Sequence, residues 1–232
     1  ATAEFDDGRA AATALTVDAS TFAGSIALQF ASDALDIFTT VKGGASASDA
    51  VSTIINAAAN ATTGNNPTMS GVETLTVTST DTVTTAAMNL AKVTGLTKLN
   101  ATFTGGTADG MAITGLAAGV PVYANSNVTA DKLVLGLASS TGLADALSVV
   151  IMGNTGVLDL DAAGIETLNL VTGAAGGTID LAGVAPTATG ETTVNISGAA
   201  DFTLNAINTG ITNINGSSMG GALVVAAAQR DS

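Results

Sequence analysis

Gly71-Val-Glu-Thr-Leu-Thr76 is followed along the chain by Gly95-Leu-Thr-Lys-Leu-Asn100, Gly164-Ile-Glu-Thr-Leu-Asn169 and Gly210-Ile-Thr-Asn-Ile-Asn215. Each phrase reads Gly, aliphatic, Glu or Thr, any residue, Leu or Ile, then Thr or Asn. Looser relatives begin at Ala130 and Gly190. Their starts lie roughly 20 to 35 residues apart, the length of one turn of a β-solenoid or of one long hairpin. The Gly opens a corner, and the aliphatic residue that follows alternates inward with its i+2 neighbour. Leu75, Leu99, Leu168 and Ile214 are therefore the expected core of four stacked strands.

The rest of the chain speaks the same grammar. Short runs such as Leu133 to Leu137, Leu147 to Met152, Val157 to Leu160, Thr178 to Leu181 and Thr193 to Ile196 are punctuated by Gly, Asn and Asp turns, and several begin just after a Gly or an Asp. Among 232 residues the aromatic share is 3%, Trp and Cys are absent, and Gly contributes 27 residues. A core of small and aliphatic side chains suits narrow stacked rungs, which leave little room for rings. The predicted class is all-β, an irregular β-solenoid. A β-sandwich of similar strand density is the competitor, although it normally uses more aromatic and fewer Ala residues.

Two further patterns carry expectations. Val17-Asp-Ala-Ser-Thr-Phe-Ala-Gly-Ser-Ile-Ala-Leu28 aligns without a gap with Ile214-Asn-Gly-Ser-Ser-Met-Gly-Gly-Ala-Leu-Val-Val225. The large apolar residue of each copy, Phe22 or Met219, is expected to plug the core between two strands. In Ser48 to Ala61, Val51, Ile54, Ile55 and Ala58 recur at helical spacing, Ser46 and Asp49 resemble a capping box, and Gly64-Asn-Asn-Pro67 stops the run. This predicts one short helix near residues 48–61 that covers the β body. Ala86 to Val93 reads equally as helix or strand. The division expected is residues 1–42 as an N-terminal β repeat, 43–66 as a helical excursion and 67–232 as the solenoid body. The three form one continuous unit that reads as a segment of something longer.

The residue inventory limits the chemistry. His and Cys are absent, which excludes Ser-His-Asp and Cys-His catalysis and most transition-metal sites. Gly105-Gly106 and Gly176-Gly177 lack the Lys and helix of a phosphate loop. Solenoids that cleave polysaccharide line their groove with aromatic and basic side chains, whereas this chain has one Tyr and six basic residues. The expectation is that it is not an enzyme. A net charge of −13 argues against nucleic acid and anionic membrane surfaces. No apolar run is long enough for a spanning helix, so membrane insertion is not expected. Sequons at Asn60, Asn127, Asn195 and Asn215 are frequent by chance in a chain this rich in Asn and Thr.

Only oxygen donors are abundant, and they favour calcium. Asp159 and Asp161 flank Leu160 and so share a strand face, while Asp180 and Asp201 sit at strand edges. Glu73 and Glu166 recur at one place in the repeat. The metal ligands expected from this set are Asp159, Asp161 and Asp180.

Gly71-Val-Glu-Thr-Leu-Thr-Val-Thr78 and Gly164-Ile-Glu-Thr-Leu-Asn-Leu-Val171 resemble the GVETLNI phrase common in bacterial surface-layer proteins of the RTX type. The paired Asp-Ala-Ser and Phe-Ala-Gly repeat resembles them too, and the likeness runs in patches from about residue 15 to 228. That resemblance implies a Gram-negative protein that leaves by type I secretion, binds calcium and tiles the cell surface as a lattice of its own copies. It also implies that a cell-surface polysaccharide is contacted through another region. The family's calcium nonapeptide is not intact. In Gly43-Gly-Ala-Ser-Ala-Ser-Asp-Ala-Val51, Ser46 replaces the third Gly and Ser48 stands at the Asp position. The alternative is a repeat region of a type I-secreted adhesin or exoprotein, acting as a scaffold for another part.

Overall fold

Thr74-Leu-Thr-Val-Thr-Ser79 buries every second side chain and turns the others outward, and strand after strand repeats the alternation. The computed structural model describes residues 2–5, 13–32, 34–56, 65–80, 85–105, 110–126, 130–154, 156–186 and 191–226. Within them the chain runs through β1 (Thr2–Phe5), β2 (Leu15–Asp18), β3 (Ala27–Phe30), β4 (Thr39–Lys42), β5 (Ala50–Ile55), β6 (Thr68–Ser70) and β7 (Thr74–Ser79). It continues through β8 (Thr85–Asn89), β9 (Val93–Thr94), β10 (Lys98–Phe103), β11 (Gly110–Leu116), β12 (Val122–Ser126), β13 (Asp131–Leu137) and β14 (Ala146–Asn154). The last are β15 (Val157–Ala163), β16 (Thr167–Thr172), β17 (Gly177–Ala185), β18 (Thr192–Gly198), β19 (Phe202–Ile207), β20 (Ile211–Met219) and β21 (Leu223–Val225).

These strands form three parallel sheets of ten, seven and four strands. The ten-stranded sheet takes β1, β3, β5, β7, β10 and every even strand from β12 to β20. The seven-stranded sheet takes β8 and every odd strand from β11 to β21, and the four-stranded sheet takes β2, β4, β6 and β9. Each interior strand thus pairs with strands of the preceding and following turns. The fold is a β-solenoid.

Between the sheets lies one continuous core, built mainly of stacked aliphatic side chains. Leu28, Val51, Leu75, Leu99, Val122, Val149, Leu170 and Ile196 stack in one column of the ten-stranded sheet, all buried. On the seven-stranded sheet Ala86, Met111, Leu133 and Leu160 form another. Phe30, Phe103 and Phe202 are the only aromatic rings in the buried core of the described residues, which agrees with a core too narrow for more.

The four Gly phrases enter β7, β10, β16 and β20, so all four lie in the ten-stranded sheet. Leu75, Leu99 and Leu168 are wholly buried, and Ile214 is half-buried in the last strand of that sheet among the described residues. The phrases are not all level, however. Leu75 stands in the column that reaches Leu170, whereas Leu168 stacks with Leu147, Val194 and Ile214. The slip is two residues, which keeps the same face inward. Gly71, Gly95 and Gly164 each adopt positive φ, at 62°, 87° and 70°, a corner that side chains resist. Gly210 does not share it.

The expected helix near residues 48–61 does not form. Residues 50–55 are strand β5, an interior strand of the ten-stranded sheet, with Val51, Thr53 and Ile55 inward and Ser52 and Ile54 less buried. Residues 57–61 of that expectation lie outside the described residues. Helical spacing and alternation share Val51 and Ile55, and the pairing of β5 with β3 and β7 on its two sides decides between them. Ala86 to Val93 likewise resolves into β8 and β9. Phe22 does not plug the core; it is 43% exposed on the corner between β2 and β3. The two aligned segments around Phe22 and Met219 run through different pairs of sheets. What they share is local: Asp18 Oδ1 accepts the Ser20 amide at 3.0 Å, and Asn215 Oδ1 accepts the Ser217 amide at 3.1 Å.

The alternation in β5 sets a direct comparison. Val51→Asp puts a carboxylate in the buried column and is expected to cost about 3 kcal/mol or more, whereas Ile54→Asp on the outer side is expected to cost about 1 kcal/mol or less. Urea unfolding of both variants checks this, and equal losses would defeat the strand assignment.

Candidate functional site

Carboxylates occupy two different settings, one at the corners and one on the outside. At the corner before β7, the Asp49 amide donates to Glu73 Oε2 at 2.9 Å, and the Asp49 carbonyl accepts the Glu73 and Thr74 amides. The Asp49 carboxylate in turn accepts Ile26 N at 2.9 Å and Gly44 N at 2.6 Å. The same device recurs before β16. Asp145 N donates to Glu166 Oε2 at 3.0 Å, and the Asp145 carbonyl accepts the Glu166 and Thr167 amides. Backbone donors at a corner need an acceptor, and a Glu from the next turn supplies it. Glu73 and Glu166 therefore recur because they tie one corner to the next. Asp49, which the sequence offered as a helix cap, is wholly buried and serves the same corner.

Asp159, Asp161 and Asp180 are brought together on the outer face of the seven-stranded sheet. Asp159 in β15 pairs in register with Asp180 in β17 and with Lys132 in β13. Lys132 Nζ lies 3.1 Å from Asp159 Oδ2 and 2.6 Å from Asp161 Oδ2, so one ammonium bridges the two acids of a strand. The hydrogen bond to Asp161 is the main influence holding the Lys132 pKa above its ordinary value. Asp159 titrates above the usual carboxylate range, because partial burial and the neighbouring charges of Asp161 and Asp180 outweigh the pull of Lys132. Asp180 sits where β17 carries an extra residue against β15, and its Oδ1 accepts the Ala182 amide at 2.9 Å. Gly183 faces Asp161 across the pair, and a Cβ there would fall on the carboxylate.

Three carboxylates and one ammonium leave a local excess of negative charge. Among the described residues, no group of three or more acids converges closely enough to hold a metal ion by itself. Asp201, the fourth candidate, accepts Ala222 N at 2.7 Å at a corner apart from this cluster. Residues 43–51, the nonapeptide-like stretch, form a corner and the start of β5, with the Asp49 carboxylate engaged as described.

Sequence reasoning placed Asp159 and Asp161 on one face and Asp180 at a strand edge, but missed Lys132, the cation that Asp159 and Asp161 share. Its signal was the Ala130-Asp-Lys-Leu relative of the repeat, which puts Lys132 one turn before Asp159. Sequence reasoning also missed rows of outward polar residues on the ten-stranded sheet, where Asn195 Nδ2 donates to Asn169 Oδ1 at 3.0 Å and Asn100 Nδ2 to Thr76 Oγ1 at 3.0 Å.

The bridge has a testable pH signature. A carboxyl whose folded pKa is raised contributes stability below the ordinary carboxylate range, and loses it as pH rises through the raised pKa. Lys132 offsets that loss while it is charged. Lys132→Met is therefore expected to lower the melting temperature clearly at pH 7 and much less at pH 3, where Asp159 is protonated; thermal scans at the two values decide it. A second expectation concerns the corners: Glu166→Ala should destabilise by about 1–2 kcal/mol while Glu166→Gln, which keeps an acceptor, should cost less, as read by chemical unfolding.

No family model matches the chain, and no similar curated protein or solved structure was found.

Proposed function

We propose that this chain is a structural segment of a bacterial surface-layer lattice protein, assembled with other copies of itself at the cell surface and dependent on calcium. The observation that carries the reading is the uninterrupted stack. One column of buried aliphatic residues runs through eight successive strands, from Leu28 in β3 to Ile196 in β18. Such a body spans distance with a repeating outer surface, which is what a lattice element or a stalk needs. The phrases that resemble RTX-type surface-layer proteins are the ones that open its strands.

Calcium enters through charge. Nineteen acids against six bases repel between neighbouring copies, and a hard cation with oxygen ligands neutralises such surfaces. Asp159, Asp161 and Asp180 give one copy part of a coordination shell, with Lys132 as the resident counter-ion. A neighbouring copy would supply the remaining oxygens, so binding and assembly are coupled. The same stack also supports the alternative of a scaffold region in a type I-secreted adhesin or exoprotein, in which the chain carries another active part.

The test is assembly of the chain in millimolar calcium, in magnesium and in chelator, followed by light scattering and electron microscopy. Calcium is expected to promote ordered association, magnesium to substitute poorly because it demands a tight octahedral shell, and the triple change of Asp159, Asp161 and Asp180 to Asn to abolish the calcium response. Identical behaviour in all three conditions would remove calcium from the proposal and leave a passive spacer.

A further inference from the structure

Within β20 the chain reads Asn215-Gly216-Ser217, the one place in 232 residues where Gly follows Asn. Glycine has no side chain to shield its backbone nitrogen from the amide carbon of the preceding Asn. The strand is also locally freed. Asn195 in β18 pairs with Asn215 and Ser197 with Ser218, so Gly216 and Ser217 both stand against Ile196. A bulge of this kind leaves one residue without a ladder partner, and among the described residues no strand pairs with the other side of β20. Here the Asn215 side chain folds back on its own backbone, and its Oδ1 accepts the Ser217 amide at 3.1 Å. That bond polarises the side-chain carbonyl and sets a donor on the oxygen that gains charge when the carbon is attacked. Asn215 and Ser217 are exposed, so water has access.

Two neighbours in the stack supply the contrast and the template. Asn169 and Asn195 continue the row of Asn215, with Asn215 Nδ2 donating to Asn195 Oδ1 at 3.5 Å. They precede Leu170 and Ile196, whose bulky side chains are buried, and their strands are paired on both sides. The template is Asp18, which takes the place of Asn215 in the aligned segment. Its Oδ1 accepts the Ser20 amide at 3.0 Å and the Ser20 hydroxyl at 2.6 Å. The Ser20 hydroxyl first, and Lys42 after it, hold the Asp18 carboxyl well below the usual carboxylate range. Ser217 carries the same amide and hydroxyl two residues after Asn215, so a carboxylate formed at 215 meets ready donors.

We propose that Asn215 is a site of intramolecular deamidation in the folded chain. The Gly216 nitrogen gives up its proton and bonds to Asn215 Cγ. The Cγ–Nδ2 bond breaks, the departing nitrogen takes up a proton and leaves as ammonia, and a succinimide ring closes. Water then adds to one of the two ring carbonyls and breaks its bond to the ring nitrogen, which leaves an aspartyl or an isoaspartyl unit. Nothing is oxidised or reduced, and solvent water is the only co-reactant. Either product adds a negative charge and no longer donates to Asn195 Oδ1. The isoaspartyl form also lengthens the backbone of β20 by a methylene against β18. The last rung of the ten-stranded sheet therefore loosens as the molecule ages, while Asn195 and Asn169 keep their amides. The site is independent of the lattice and calcium readings, and either can fail alone.

The test is incubation of the intact chain at neutral and at mildly alkaline pH, sampled over days by peptide-mapping mass spectrometry and by anion-exchange chromatography. The mass gain of an amide-to-acid change is expected at Asn215, with Asn195 and Asn169 unconverted. Conversion should run faster at the higher pH, because the attacking nitrogen must lose its proton, and a later-eluting, more acidic species should grow in step. Gly216→Ala should slow conversion several-fold. Its added Cβ meets first the mobile Cδ2 end of Leu223, and circular dichroism checks that the variant is folded. The wild-type chain unfolded in guanidinium chloride supplies the rate set by sequence alone. The proposal is overturned if Asn215 keeps its amide in the folded chain, and conversion confined to the unfolded chain would show that the strand protects it. It is equally overturned if Asn195 or Asn169 converts as fast as Asn215, or if folded Gly216→Ala converts as fast as the wild type.

Discussion

Each turn of this chain is held by its neighbours, because parallel strands find no hydrogen-bond partner within their own turn. Side-chain bonds between adjacent turns join residues 20 to 31 positions apart. That spacing is the constraint from which the rest follows. A parallel ladder fixes each strand to the one before it, the ladder fixes which residues face inward, and the inward residues must then match in size from turn to turn. Leu, Val and Ile do so with little strain, and the few Phe rings are placed singly.

Corners are where the ladder gives out, and there the acids of the repeat find their use. Backbone amides at a bend lose their strand partner, and water is excluded by the turns on either side. Glu73 and Glu166 reach back to the amides of Asp49 and Asp145, so an acidic chain spends some of its charge inside its own corners. The outer acids behave differently. Asp159 and Asp161 share Lys132, and this arrangement tolerates burial better than a lone carboxylate would.

Much of the fold was legible because the Gly-aliphatic phrases encode both a corner and the alternation after it. Those phrases located β7, β10, β16 and β20 and most of their inward residues. The illegible part lay where one sequence satisfied two periods. Val51, Ile54 and Ile55 fit a helix as well as a strand, and the choice was made by β3 and β7, which are distant in sequence. The segment around Phe22 misled for another reason: its likeness to the segment around Met219 reflects a shared turn at Asp18 and Asn215 and not a shared place in the stack. For the site, alternation placed Asp159 and Asp161 together. Pairing across three strands was needed to bring in Lys132 and Asp180.

The two-residue slip between the early and late repeats leaves the interior intact and divides the exterior. Thr76, from the phrase at Gly71, stands in the outer row of Asn100 and Tyr123, whereas its counterpart Asn169, from the phrase at Gly164, stands in the row of Ser148, Asn195 and Asn215. The sheet face is therefore a mosaic of two tiles, offset by one side chain in height. A rigid partner that matched the first tile would be out of phase with the second. Repetition in the sequence builds a uniform beam, and the offset marks that beam with an address at which one end of its surface differs from the other.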